Sequence, residues 1–207
     1  MMTSSQSEQL LPPGFDYYPK VMSLSKSILL YDYLCRQLNW QQPSIQVYGK
    51  HHLIPRMQCF IADRDVSYSY SKQMLDNTPW PEPLLAMRQR LRQTYGYQFN
   101  ALLANWYRNG QDKMGWHSDD EAELGTEPCI VSISLGATRK FKIKHKATQQ
   151  QYEIMLQSGS CLIMHGDSQR DYQHSLPVQA KVSSGRINLT FRTVGQQSTK
   201  AYSSAHK

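Results

Sequence analysis

After Gly96 the chain abandons helical spacing for period two, and no other feature limits its possible folds as much. In CIVSISLG (129–136) and FKIKHK (141–146), apolar residues alternate with small or charged ones, as in a strand whose successive side chains point to opposite faces. CLIMHG (161–166) and RINLTFRTV (186–194) predict further short strands. Upstream, Ile28, Leu29, Tyr33, Leu34 and Leu38 have the spacing of an amphipathic helix that Ser23 or Ser25 can cap. A second helix is expected with Pro81 in its first turn, Leu84, Met87 and Leu91 on one face, and Gly96 as its stop. Two helices followed by many short strands imply an α+β, mainly β domain in which helices back a β-sandwich or jelly roll.

At 207 residues the chain is long enough for one domain with a sizeable core. That domain is expected over 21–195. Residues 1–20, ending in PPGFDYYP, read as an extended arm, and 196–207 (QQSTKAYSSAHK) read as a disordered tail. Cys35, Cys59, Cys129 and Cys161 form no CxxC pair, so a disulfide framework or thiolate zinc site is not expected, and a reducing intracellular compartment fits. No signal-peptide pattern or membrane-length apolar run occurs, so a cytoplasmic protein without membrane contact, monomeric, is expected. The formal charge of +7 suits a polyanionic partner, but many basic proteins bind none.

The densest chemical signal is GWHSDD. His117 and Asp119 are two apart, so in an extended segment both point the same way and can share one ion. A non-haem iron site wants two imidazoles and one carboxylate on one face of an octahedron, leaving the other positions open. HxD triplets also arise by chance, and two downstream histidines compete for the third place: His165, ending an apolar strand, and His174 in YQHSLPV. In RINLTFR, Arg186, Asn188, Thr190 and Arg192 share one face, with Ile187, Leu189 and Phe191 on the other. Such a face fits an ordinary strand with its polar side in water. It fits equally a pocket for a small dianion, because guanidinium groups pair carboxylates in a bidentate fork.

Taken in order, NWY (Asn105, Tyr107), HSD (His117, Asp119), HSLPV (His174) and RINLTFR resemble the motifs of the AlkB family from about Tyr48 to Val194. The resemblance implies a double-stranded β-helix, or jelly roll, with two supporting helices on its N-terminal side. It implies Fe(II) held by His117, Asp119 and His174, with 2-oxoglutarate and O2 as cosubstrates. The arginine matching Arg186 would pair with the far carboxylate of 2-oxoglutarate, aided by Asn105 and Tyr107, while Arg192, Asn188 and Thr190 would serve its metal-side end. The reaction implied is oxidative demethylation of bases such as 1-methyladenine and 3-methylcytosine in DNA, or RNA, releasing formaldehyde, succinate and CO2.

A base inside a duplex must be flipped out to reach such a site. SYSYSK, with Tyr68 and Tyr70 on one face, is similar to the family's base-clamping segment, and Asp120 and Glu121 match positions lining the base pocket. QVYGKHHLIPR is similar to the stretch that carries an aromatic finger in the duplex-acting vertebrate relative; Tyr48 takes the finger position, where that relative has Phe, and Arg56 a nearby contact position. Lys140, Lys142, Lys144 and Lys146 share a strand face that can follow a phosphate backbone or simply face solvent. Two other readings stand beside this one: a 2-oxoglutarate dioxygenase acting on protein or small molecules, and a metal-free nucleic-acid-binding module of the same fold.

Overall fold

The period-two segments become eight strands that pass back and forth between two sheets. The computed structural model describes residues 11–47, 49–66, 69–70, 73–74 and 77–195. In chain order the described elements begin with β1 (Phe15–Tyr18), α1 (Leu24–Gln37), β2 (Ser44–Val47), β3 (Lys50–Leu53) and β4 (Met57–Ala62). Next come β5 (Ser69–Tyr70), β6 (Gln73–Met74), β7 (Asn77–Thr78) and α2 (Glu82–Tyr95). The winding set follows: β8 (Ala101–Tyr107), β9 (Met114–His117), β10 (Ile130–Gly136), β11 (Arg139–His145), β12 (Gln151–Leu156), β13 (Ser160–Met164), the one-turn α3 (Ser168–Asp171), β14 (Tyr172–Leu176) and β15 (Arg186–Arg192).

The larger sheet has the order β1-β13-β10-β15-β8-β4-β7, and the smaller one β12-β11-β14-β9. From β8 to β15 the chain crosses between these sheets at every step except the β11–β12 hairpin, so the two sheets are built together. This is the jelly roll the sequence implies. Two short hairpins, β2–β3 and β5–β6, lie outside both sheets.

The central strands of the larger sheet are buried on both sides. Val131, Ile133 and Leu135 of β10 and Ile187, Leu189 and Phe191 of β15 join one apolar cluster with Leu34 of α1 and Leu84 and Leu91 of α2. Their alternate residues, including Ser132, Ser134, Arg186, Thr190 and Arg192, are also buried, facing the cleft between the sheets. The polar face of RINLTFR therefore looks inward, not to water. A second apolar cluster joins Phe141, Ile143, Ile154 and Leu156 of the smaller sheet to Leu162 and Met164 of β13, and Phe141 and Met164 also line the cleft.

Both helices form where expected. Ser23 caps α1, its hydroxyl accepting from the Lys26 amide at 3.4 Å, and Gly96 ends α2 in the left-handed conformation at φ 76°. The buried face of α1 differs from expectation. Leu34 and Ser27 are buried, whereas Ile28 and Leu29 are 50% and 71% exposed. Ser27 sits inside because its hydroxyl has partners there, bonding Leu24 O at 2.9 Å and Ser158 Oγ at 3.2 Å, which a pattern of apolar residues does not register.

Residues 15–18, expected as part of an extended arm, form the edge strand of the larger sheet, with Phe15 opposite Met164 and Tyr18 opposite Cys161. Phe15 is buried, edge-on to Tyr172. All four cysteines are free thiols, three of them buried.

Candidate metal centre and cosubstrate pocket

The register of two strands explains how residues far apart in sequence meet. In the smaller sheet β9 pairs with β14 so that His117 stands opposite His174, with a register irregularity between His174 and Leu176. Their rings lie 4.2 Å apart at 62°. Asp119, just past β9, brings Oδ1 to 3.7 Å from His117 Nε2. Together the three residues offer ligand atoms that all lie within 4.8 Å of one another, the one such cluster among the described residues. His165 takes no part; its Nε2 meets Asp16 Oδ2 at 3.0 Å at the sheet edge.

The electrostatics suit a divalent cation. Burial, with His117 alongside, pushes the His174 pKa down to about 3, so the imidazole is neutral. The His117 pKa is lowered by burial too, against the pull of Asp119. Burial raises the carboxyl pKa of Asp119, but Arg192 and the two imidazoles outweigh it and hold the group below the usual carboxylate range. Two neutral nitrogen donors and one carboxylate result. Arg192 Nη2 holds Asp119 Oδ2 at 3.0 Å, while Asp119 Oδ1 and His174 Nδ1 are buried with no hydrogen-bond partner. An orphaned carboxylate oxygen facing two neutral imidazoles is costly without a cation and natural with one, so this donor set fits Fe(II).

Beside this cluster the cleft is lined by the polar faces of β8, β10 and β15. Antiparallel pairing of β15 with β8 sets Arg186 opposite Tyr107 and Asn188 opposite Asn105. Arg186 is 2% exposed; its Nη2 donates to Ser134 Oγ at 2.8 Å and to Asn188 Oδ1 at 2.9 Å, and its guanidinium lies 5.5 Å from the centre of the Tyr107 ring. Burial pushes its pKa down to about 10, so it stays charged at neutral pH. Those partners are all neutral, no carboxylate pairs with it among the described residues, and Arg186 Nε is buried without a partner. A buried, uncompensated guanidinium is a receptor for a carboxylate. Asn188 Nδ2 donates to Thr190 Oγ1 at 2.7 Å, extending the polar wall toward Arg192 and the metal cluster.

Three further groups were not singled out in the sequence. Ser132 donates to Asn188 Oδ1 at 2.8 Å, and Ser134 receives Arg186; their alternation in CIVSISLG was the available signal, read there only as strand periodicity. Gln169 accepts the Asp119 amide at 2.8 Å, and nothing in its sequence context marks it.

Of the residues expected to meet substrate, Tyr48 and Tyr68 lie outside the described residues, as does the side chain of Tyr70. Arg56 is 5% exposed and donates from Nε to Asn105 Oδ1 at 2.8 Å, so it braces the pocket wall. Asp120 is exposed, 3.7 Å from Lys146 Nζ, and Glu121 is half-buried at the start of a 3-10 turn (Ala122–Leu124). The lysine face of β11 points outward, but Lys140 and Lys142 are both paired with Glu153, at 2.7 and 3.1 Å, and Lys144 Nζ lies 4.8 Å from the centre of the exposed Trp116 ring.

A family model described as the 2OG-Fe(II) oxygenase superfamily matches residues 14–192. The alpha-ketoglutarate-dependent dioxygenase alkB homolog 3 of Bos taurus is 34% identical over 204 residues, 94% of this chain and 68% of that protein. The human protein of that name is 34% identical over 86% of this chain and 65% of its own length. The DNA oxidative demethylase ALKBH2 of Bos taurus is 38% identical over 158 residues, 72% of this chain and 57% of that protein. The chain thus spans between 57% and 68% of these relatives' lengths. The solved structure of OsALKBH1 shares the fold, with a TM-score of 0.63 at 21% identity over 89% of this chain and all of the other. No described helix is long and apolar enough to cross a membrane. With the family model covering every strand that builds the cleft, and with these identities, the chain belongs to the AlkB family of the 2OG-Fe(II) oxygenase superfamily.

Proposed function

We propose that this protein is an Fe(II)- and 2-oxoglutarate-dependent dioxygenase that removes alkyl groups from bases such as 1-methyladenine and 3-methylcytosine in DNA, or RNA. The observation that carries the reading is Arg186, a buried cation without a carboxylate among the described residues, lining the same cleft as a cluster of two neutral imidazoles and one ionised carboxylate. His117, Asp119 and His174 hold the metal, and Arg186 takes the far carboxylate of 2-oxoglutarate, with Asn105 and Tyr107 shaping that end of the pocket. Arg192, Asn188 and Thr190 serve the metal-side end. When bound, iron with its cosubstrates supplies the oxidising power that hydroxylates the N-alkyl carbon, and the hydroxylated group leaves as formaldehyde.

The protein's own contributions are position and charge. Arg192 keeps Asp119 ionised, Phe141 and Met164 add apolar walls to the cleft, and Arg56 steadies Asn105. The names of its relatives support a nucleic-acid substrate, as does the net charge of +7. Tyr48, Tyr68, Tyr70, Asp120 and Glu121 are the residues to test for base capture; the protein acts as a monomer in the cytoplasm, a reducing compartment that suits its free thiols.

Given Fe(II), ascorbate and 2-oxoglutarate, the purified protein is expected to restore unmodified bases in methylated oligonucleotides, releasing one formaldehyde and one succinate per repair. Running single- and double-stranded substrates side by side resolves strand preference. Succinate release without any base repair would refute the substrate and favour a protein or small molecule in its place.

A further inference from the structure

The two segments that carry the ligand cluster are tied together by more than their strand ladder. Gln169, 1% exposed in the single turn α3, accepts the Asp119 N–H with Oε1 at 2.8 Å. Its Nε2 donates to Ser168 Oγ at 3.2 Å and to Met164 Sδ at 3.5 Å, which fixes the amide with its oxygen toward Asp119. One residue before Asp119, the Ser118 hydroxyl donates to Tyr172 O at 2.9 Å, on the strand that carries His174. The turn has backing of its own. Ser168 is fully buried, Lys146 Nζ donates to Gln169 O at 2.9 Å, and Gly14 lies so close that a Cβ there would come within 2.7 Å of His165 O and 3.2 Å of Ser168 Cβ.

Asp119 follows the end of β9, so no ladder holds it. Its carboxylate is held from one side by Arg192, which leaves the direction of Oδ1 to depend on where its main chain sits. That main chain is set by Gln169. We infer that Gln169 is a positioning residue of the metal centre and that, with Ser118, it clamps the HSD segment to the His174 strand so that all three ligands are presented at once. The inference rests on the metal ligation proposed above. A buried amide hydrogen bond to the loop bearing a ligand belongs to the outer shell that orients first ligands, where substitution typically weakens metal binding about 10- to 100-fold.

Co(II) titrated into metal-free protein, followed by its visible absorption, tests the clamp independently of turnover. Gln169→Met keeps the volume and removes the acceptor. It is expected to weaken Co(II) binding about tenfold or more and to alter the absorption envelope. Ser118→Ala should weaken binding in the same sense but less, with its thermal midpoint nearly unchanged. Full Co(II) affinity in folded Gln169→Met, even with a lowered thermal midpoint, would reduce Gln169 to a fold-stabilising residue and overturn the inference. Should Gln169→Met not fold, Ser118→Ala decides, and unchanged affinity there overturns the clamp. If unaltered protein gives no Co(II) signal that His117→Ala abolishes, the ligand set itself is wrong and the inference falls with it.

Discussion

Strands β11 and β15 both alternate polar with apolar residues and carry cations on the polar face, yet the two polar faces have opposite fates. In β15 the cations point into the cleft, and Arg186 and Arg192 are 2% and 3% exposed. In β11 the lysines face solvent, while Phe141 and Ile143 point inward. The difference comes from neighbours, not from local sequence. β15 lies inside the larger sheet with α1 and α2 covering its apolar side, so its other face has only the cleft to look into. β11 belongs to the smaller sheet, and its lysines lie on the face opposite Phe141 and Ile143, which are buried in the second apolar cluster. The residue types agree with these fates: arginine, with its planar fork, serves the buried anion site, and lysine the wet surface.

The largest effect that can test this contrast is at Arg186. Arg186→Met should lower kcat/KM for 2-oxoglutarate by at least about 30-fold, since losing one partner of a buried charge pair costs about 2 kcal/mol or more. Arg186→Lys should recover only part of the loss. Near-normal 2-oxoglutarate use by either variant would place the anion elsewhere and dissolve the contrast. On the other face of the same strand, Leu189→Ala should cost about 2–5 kcal/mol in urea unfolding while cosubstrate affinity of the folded protein changes little. A large loss of affinity with unchanged stability would mean that the two faces are not separable.

On β11 the effects should be smaller and should depend on salt. Replacing Lys144 with Gln should reduce the slope of log affinity for single-stranded oligonucleotide against log salt by about 1, if that lysine meets a phosphate. Lys142→Gln should do less, because Glu153 already offsets its charge. Equal slopes for both variants and the unaltered protein would assign this face to solvent alone. The smallest effect is expected at Glu153. Hydrogen bonds from Lys140 and then Lys142 hold its pKa below the usual range. Its contribution to stability is therefore present above its unfolded pKa, about 4.3, and fades as pH falls through the lower folded value. Glu153→Gln should change stability by less than about 1 kcal/mol at neutral pH, less still in high salt or below pH 4, as thermal melts at each condition can show.

Much of this was legible in the chain. The strand segments, the stop at Gly96 and the HSD triplet can be read from spacing, because period and turn chemistry are local properties. Which way β15 faced was not, since alternation fixes two faces but only tertiary packing says which one meets water. The choice of His174 over His165 likewise needed the ordered resemblance, and the β9–β14 register supplies its physical reason. In α1 the apolar pattern placed Ile28 and Leu29 inside, although Ser27 takes the buried position through its own hydrogen bonds. Gln169 left no trace at all, because its role is made by a contact across 50 residues.

The short strand β1 has a bearing on how the protein folds. Its ladder partner among the described residues, β13, is synthesised long after it, and the Asp16–His165 contact beside that ladder spans 149 residues. The entropy cost of closing so long a loop must be met before the β1–β13 contacts offset it, so a stage of refolding in which β1 has yet to dock is expected, as stopped-flow kinetics can show. During that stage Gly14 has not yet come to rest against the turn that holds Gln169. The backing of the turn that holds Gln169 is thus made by a contact that spans most of the domain, which couples the shape of the ligand cluster to long-range docking rather than to its own strands alone.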